Sequence, residues 1–170
     1  VGVGGNGATA AMSYAFDSGF SLAGGVSSTP TAILTEEGAD TFGIEAAYTA
    51  DSYGVAVAYA DAETTTFWGI NGMYAFDFAT ISAGLESQDD GTEATGFFVG
   101  LSFPEVGAGS FDIGMGTTGN FADADEEYYM YEASYSYPVN DGMTITPGVV
   151  YRETATGDVT GVALKTSFSF

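Results

Sequence analysis

The chain has 170 residues, 45% of them hydrophobic and 15% aromatic, and it sets 23 acidic side chains against Arg152 and Lys165 alone. That balance argues against nucleic acid, where Lys and Arg neutralise phosphates, and against a polybasic lipid-binding face. With no His and no Cys, disulfides, thiolate metal sites and the usual nucleophile–base pairs are not available. The aromatic content and strong apolar periodicity argue against disorder despite the charge. The apolar runs are too short and too often broken by Gly for a membrane helix, which needs about 20 apolar residues.

In chain order, eleven segments alternate apolar and small or polar residues, with turn residues between them. They run from Gly7 to Phe16, Phe20 to Ser28, Asp40 to Ala50, Tyr53 to Asp61, Thr66 to Phe76 and Ala79 to Ser87. The rest run from Ala94 to Phe103, Ser110 to Thr118, Glu127 to Tyr137, Met143 to Arg152 and Val159 to Phe170. Each is close to the length of about nine to eleven residues that a tilted transmembrane strand requires. The Gly-rich start, Val1 to Gly7, is followed by no helix and no Lys-Ser/Thr, so it is no phosphate loop. It reads as the tail of an external loop.

Side chains alternate across a strand, so the segments divide into two faces. One is apolar, as in Tyr53-Val55-Val57-Tyr59, Trp68-Ile70-Tyr74-Phe76, Phe97-Val99-Leu101-Phe103 and Val162-Leu164-Phe168-Phe170. The other is mostly Gly, Ala, Ser and Thr, with Glu45, Glu86, Asp112, Glu132 and Lys165 inserted and Phe67, Phe98, Tyr128 and Met130 as exceptions. No charge is expected on the apolar face. A soluble sandwich needs a charged exterior to keep its surface solvated, and small uncharged residues supply none. Aromatics crowd the segment ends, as interfacial girdles do. The pattern therefore predicts an all-β, antiparallel transmembrane barrel over a secreted acidic sandwich binding sugars or divalent ions.

The links fit that topology. Short ones at Asp17 to Gly19, Asp51-Ser52 and Asp77-Phe78 alternate with longer ones such as Ser28 to Asp40 and Gly119 to Glu126. Pro104 to Gly109 and Pro138 to Gly142 are of intermediate length. Barrels of this kind have short periplasmic turns and longer external loops, which puts Phe170 at the periplasmic side. The first and last segments then run in the same direction, while bacterial single-chain barrels have an even strand count. At least one strand is expected upstream, so residues 1–170 read as the C-terminal portion of one barrel domain.

Three segments carry a more specific resemblance: Trp68-Gly-Ile-Asn-Gly-Met-Tyr-Ala-Phe-Asp77, Tyr137-Pro-Val-Asn-Asp-Gly-Met-Thr-Ile-Thr-Pro147, and Gly161 through Phe170. Together the chain resembles the C-terminal half of cyanobacterial outer-membrane porins, relatives of the carbohydrate-selective porins. The resemblance implies a roughly sixteen-stranded barrel, of which this chain supplies about eleven C-terminal strands. It also implies a homotrimer in outer-membrane lipid, with passive diffusion of small solutes, sugars and inorganic ions. The S-layer-homology domain, stalk and early strands of that family are not in this sequence.

The pore-lining candidates are Glu45, Glu86, Asp112, Glu132, Lys165 and Arg152, with Arg152 at the upper mouth and Lys165 opposite Thr146. Glu132 is expected two strands from Lys165, about 10 Å away at a strand spacing near 4.8 Å, which leaves open either an ion network across the wall or a Lys165 reaching toward the periplasmic water. Glu36, Glu37, Asp89, Asp90, Asp123, Asp125, Glu126 and Glu127 form an acidic rim that concentrates cations. The plainer role of such loops is to keep the rim hydrated. Asp89-Asp90 and Asp123 to Glu127 have oxygen donors suited to calcium or magnesium but no EF-hand spacing, so loose divalent binding is the most they offer and no cofactor is expected. Carboxylate pairs hydrolyse glycosides, yet lumen carboxylates more often line a pore, and no enzyme is expected. The runner-up is a plugged structural or anchoring barrel or surface receptor, its lumen filled by Phe67, Phe98, Tyr128 and Met130. Phe168 and Phe170 read as the terminal assembly signal. Deleting Phe170 should impair membrane assembly, measured as folded protein in the outer membrane; normal assembly would remove that role.

Overall fold

A computed structural model describes residues 8–28, 40–62, 64–117 and 127–169. The described residues form one sheet of eleven strands, and no helix occurs among them. The strands are β1 (Ala8–Ala15), β2 (Phe20–Ser28), β3 (Asp40–Thr49), β4 (Tyr53–Ala62), β5 (Thr65–Ala75) and β6 (Thr80–Asp89). They continue with β7 (Glu93–Val106), β8 (Gly109–Thr117), β9 (Tyr129–Asn140), β10 (Met143–Arg152) and β11 (Val159–Phe168). Each pairs antiparallel with its neighbours in chain order, and β1 is not paired to β11. All eleven expected segments are strands, with ends that move by a few residues.

Two connections are tighter than their composition indicates. β7 runs through Pro104 to Val106 and β9 through Pro138 to Asn140, leaving the two-residue turns Gly107-Ala108 and Asp141-Gly142. A proline has no N–H for the ladder, and each of these sits beside a break in register that absorbs it, between Phe103 and Val106 and next to Met143/Thr144. At the opposite rim, Asp90 to Thr92 is also a short turn, so not every link there is long. Gly19 illustrates the tight turns. It has φ of +85°, its carbonyl accepts from Thr49 N–H at 2.9 Å, and any Cβ on it would run into the Thr49 carbonyl oxygen.

The register tilts the strands. A line of directly opposed residues starts at Ala15, the last residue of β1, passes Asn71, Phe98 and Met130, and ends at Val159, the first residue of β11. The stagger is about nine residues over ten strand steps, a tilt of about 30° at 3.3 Å per residue and 4.8 Å per strand. A tilted, staggered sheet curls. The curl is visible in a single groove bordered by seven adjacent strands, β5 to β11, whose small-residue face lines it. The small face is concave and the apolar face convex.

That arrangement inverts the usual globular plan. Among the described residues no side chain larger than Ser87 is buried. Met12 is 80% exposed, Leu164 71% and Val162 87%, all on the convex face. The total accessible surface is 11845 Å², whereas a globular monomer of 17.4 kDa exposes about 7,900 Å². Apolar exposure on this scale is intolerable in water and matches hydrocarbon, where each large apolar side chain removed from water contributes about 1.5–3 kcal/mol.

Aromatic side chains mark both edges of the convex band. At the short-turn rim Tyr14–Phe16, Tyr48–Tyr53 and Tyr74–Phe76 meet at centroid separations of 4.6, 5.8 and 4.7 Å. At the other rim Phe42–Tyr59 and Tyr131–Tyr151 meet at 5.8 and 6.1 Å. Between Tyr53 and Tyr59 the strand runs about 20 Å at 3.3 Å per residue, about 17 Å of height at a tilt of about 30°, which fits inside the apolar band of about 25 Å of a membrane barrel. One expectation needs correction. Asp61 already ends the expected segment from Tyr53 on the apolar parity, and β6 running on to Asp89 and β7 starting at Glu93 add Asp89 and Glu93 to the convex register at the far rim. The convex face is charge-free only between the girdles, where water does not reach.

The two faces predict opposite responses to one substitution at adjacent positions. Ile70→Lys, on the convex face at mid-height, should destabilise the barrel by about 2–4 kcal/mol. Asn71→Lys, on the concave face, should change stability by under about 0.5 kcal/mol. Urea unfolding in detergent or lipid measures both.

Candidate functional site

The concave face is the candidate site. Its main groove holds about 850 Å³ and takes in Glu86, Asp112, Glu132 and Lys165 among Gly, Ser and Thr positions. A second hollow of about 730 Å³, bordered by Glu45, Phe67 and Glu86, continues it toward β2. Glu86 belongs to both, so the polar surface is continuous along the wall.

Register explains the placement. Glu45 on β3 opposes Ala23 and Ala58, and Glu86 on β6 opposes Gly69 and Gly96. Asp112 opposes Ser102 and Ser134, and Glu132 opposes Gly114 and Val150. Small neighbours leave each carboxylate room to extend, and all but the half-buried Asp112 are exposed. Glu45, Glu86 and Glu132 stand three strands apart, about 14 Å laterally at 4.8 Å per strand, too far to act as a carboxyl pair on one bond.

Lys165 lies opposite Thr146, whose hydroxyl is 3.0 Å from that of Ser136. Glu132, however, aligns with Val150, four residues along β10 from Thr146. Adding this offset of about 13 Å to two strand spacings separates Glu132 from Lys165 by about 16 Å along the wall. The ion network across the wall is therefore not formed by this pair. Counting strands gave the lateral step and omitted the axial one. Arg152 shares the concave register, opposite Met130 and Val159 at the upper rim, and does not border the main groove.

The rim residues divide. Glu36, Glu37, Asp123, Asp125 and Glu126 lie outside the described residues, as does Phe170. So does the opening run Val1 to Gly7. Asp89 and Asp90 act in their own turn, accepting from Gly91 N–H at 2.9 Å and Thr92 N–H at 3.4 Å. Glu127 accepts from the Tyr129 hydroxyl at 2.6 Å, and Asp158 from that of Tyr151 at 2.6 Å. Glu153 accepts from Tyr129 N–H at 3.1 Å, tying β9 to the link after β10. Among the described residues no group of three or more His, Cys, Asp or Glu is placed to hold a metal. Phe168 closes β11 opposite Met143 and is 62% exposed.

Three features were not anticipated. Asn71 and Met73 also fall on the concave face, opposite Gly84 and Ser82, a placement that strict period-two counting from Ile70 would have found. Tyr128 precedes β9 and so takes no strand face. The third is that long concave side chains lie over glycines of the neighbouring strand. A Cβ on Gly84 would meet the Phe98 ring at Cδ1 (2.9 Å) and Cζ (3.0 Å), and one on Gly96 would meet Glu86 Oε1 at 3.3 Å. Cross-strand partners of this kind are invisible without the register.

A tilted antiparallel sheet, apolar outside and small and acidic within, is the wall of a membrane-spanning β-barrel. The chain belongs to the Gram-negative porin family, whose model matches residues 3–158. Its fold follows solved porins: 97% of the chain aligns with a mutant of Rh. blastica porin at a TM-score of 0.71 and 20% identity, over 56% of that chain. A triple mutant of Rhodopseudomonas blastica porin gives 0.70 and 19% with the same coverage. An uncharacterized protein of Nostoc sp. is 27% identical over 135 residues, 73% of this chain and 22% of its own length. The chain thus spans about half of the solved porins and under a quarter of the Nostoc protein.

The separation of Glu132 from Lys165 predicts independence. In a double-mutant cycle of Glu132→Gln and Lys165→Met, the stability changes should add to within about 0.5 kcal/mol; stronger coupling would mean that the side chains meet.

Proposed function

We propose that this chain is the C-terminal arc of an outer-membrane porin that passes small hydrophilic solutes and inorganic ions and prefers cations. The observation that carries the reading is the concave face, where Glu45, Glu86, Asp112 and Glu132 stand on a wall of small residues with Lys165 as their one counter-charge in the main groove. Fixed charge of one sign on a low-dielectric wall focuses potential into the lumen and raises the local concentration of counter-ions. The acidic net charge of -21 extends the same sign to the mouth. An arc of larger barrel is supported by strand direction: β1 and β11 both run toward the short-turn rim, so joining them would require a parallel seam, against the antiparallel, even-stranded rule.

Homotrimer assembly and a cyanobacterial source belong to this proposal, both supported by the resemblance of Trp68 to Asp77, Tyr137 to Pro147 and Gly161 to Phe170, and the source also by the Nostoc relative. Passage of sugars rests on the resemblance alone. Any divalent ion is held loosely, by exposed rim carboxylates already engaged in turns and tyrosine contacts. The plugged-barrel reading is weakened by Phe98, whose ring lies back over Gly84 instead of standing across the lumen.

Planar-bilayer conductance of the full-length protein under a potassium chloride gradient tests the proposal. Open steps with a cation-selective reversal potential are expected, stronger at physiological salt than at 1 M, where the screening length falls from about 8 Å to about 3 Å. Replacing Glu45, Glu86 and Glu132 together by Gln should lower the cation-to-anion permeability ratio by about threefold, given wall potentials of a few kT. Inserted but silent protein would favour a plugged barrel.

A further inference from the structure

Phe98 is the feature of the concave wall that pore hydration does not explain. A Phe on a water-filled face loses the burial that normally stabilises it, and this one is 47% exposed. Its ring is nevertheless held in a fixed place. The absence of a side chain at Gly84 lets the Cε1 edge of the ring settle against β6, where a Cβ would collide with it. From behind, Gly116 admits Phe98 closely, since a Cβ there would meet the Phe98 Cα and Cβ at 3.2 Å each. Two glycines in one row of opposed residues, Gly84–Phe98–Gly116, seat the ring on the wall and leave the rest of it open to the groove.

The charges around that ring are of one sign. The Glu86 carboxylate rests over Gly96, two residues from Phe98 on β7, with Oε1 3.3 Å from the Cβ position. The Glu132 carboxylate rests over Gly114, with Oε1 3.5 Å from the corresponding point. On strand spacings these lie about 8 and 12 Å from the ring. All three side chains border the same groove. Arg152 is three strands away in the row of Phe98, and Lys165 lies further off on β11.

A ring face carries negative electrostatic potential and attracts a cation placed over it, most of all a weakly hydrated organic one. Carboxylates near that face add to the attraction. Potassium keeps its hydration and gains little from the ring. We infer that Phe98, with Glu86 and Glu132, forms a subsite that favours organic ammonium ions over inorganic cations of equal charge. This rests on the porin reading above and specifies its solute class. Phe98 is the specificity-determining residue, and the carboxylates supply charge that both kinds of cation share.

The test is the permeability ratio of tetramethylammonium to potassium, read from bi-ionic reversal potentials of the full-length protein in planar bilayers. Phe98→Leu should lower that ratio by about two- to fivefold. Phe98→Tyr should keep it near the native value, and it also shows that the wall tolerates replacement at this position. Glu86→Gln should reduce the permeability of both cations relative to chloride and leave their ratio nearly unchanged. An unchanged ratio in Phe98→Leu overturns the inference and leaves cation preference intact. A ratio that falls equally in Phe98→Leu and Phe98→Tyr also overturns it, since shape and not the ring face would then be responsible. Loss of glucose flux in Phe98→Leu with an unchanged ammonium ratio would assign the ring to a neutral sugar and reject the organic cation. A native protein that inserts without conducting rejects the porin reading and this inference together.

Discussion

In hydrocarbon there is no water to hydrogen-bond a bare peptide group, and each such group left unpaired costs several kcal/mol. The continuous ladder from β1 to β11 answers that constraint, and the rest of the molecule depends on it. Every strand between the two edges is paired on both sides; Pro104 and Pro138 sit at register breaks, while Pro147 lies within β10 opposite Leu164. Tilt follows from pairing, because the accumulated stagger is what lets a sheet curl toward closure. Curvature in turn decides which face is the outside.

Once the sheet curls, its two faces meet different solvents, and composition follows. The convex face carries Met12, Ile44, Ile70, Val162 and Leu164 in the open, which would be a fault in a soluble protein and is here the lipid contact. The concave face cannot pack into a core without abolishing the lumen, so Gly, Ala, Ser and Thr dominate it. A globular domain gains most of its stability by burying apolar side chains against one another. In this one the apolar side chains gain it from the bilayer, and the backbone ladder supplies the cohesion.

Small residues have a second consequence. A wall with few side chains leaves vacant area, and the large side chains that do occur spread into it. Phe98 takes the place of a missing side chain at Gly84, Glu86 leans closely over Gly96, and Glu132 lies at contact distance over Gly114. Charge and aromatic surface are thereby laid along the concave wall.

The sequence by itself determined the strands, their faces and the sign of the lumen charge. Period-two alternation is a local property, and segments such as Tyr53 to Tyr59 and Val162 to Phe168 carry it without reference to any neighbour. It also placed Glu45, Glu86, Asp112, Glu132 and Lys165 on one face, since parity within a strand is enough for that. Only the tertiary structure decided what lies beside what. Register depends on turn length and on breaks such as those near Pro104 and Pro138, so the axial offset between Glu132 and Lys165 and the seat of Phe98 were not legible in the chain. Neither was the termination of the charge-free band, because the girdles and the strand ends are set by tilt. Distance across a sheet is the sum of every register upstream of it, and no single segment contains that sum.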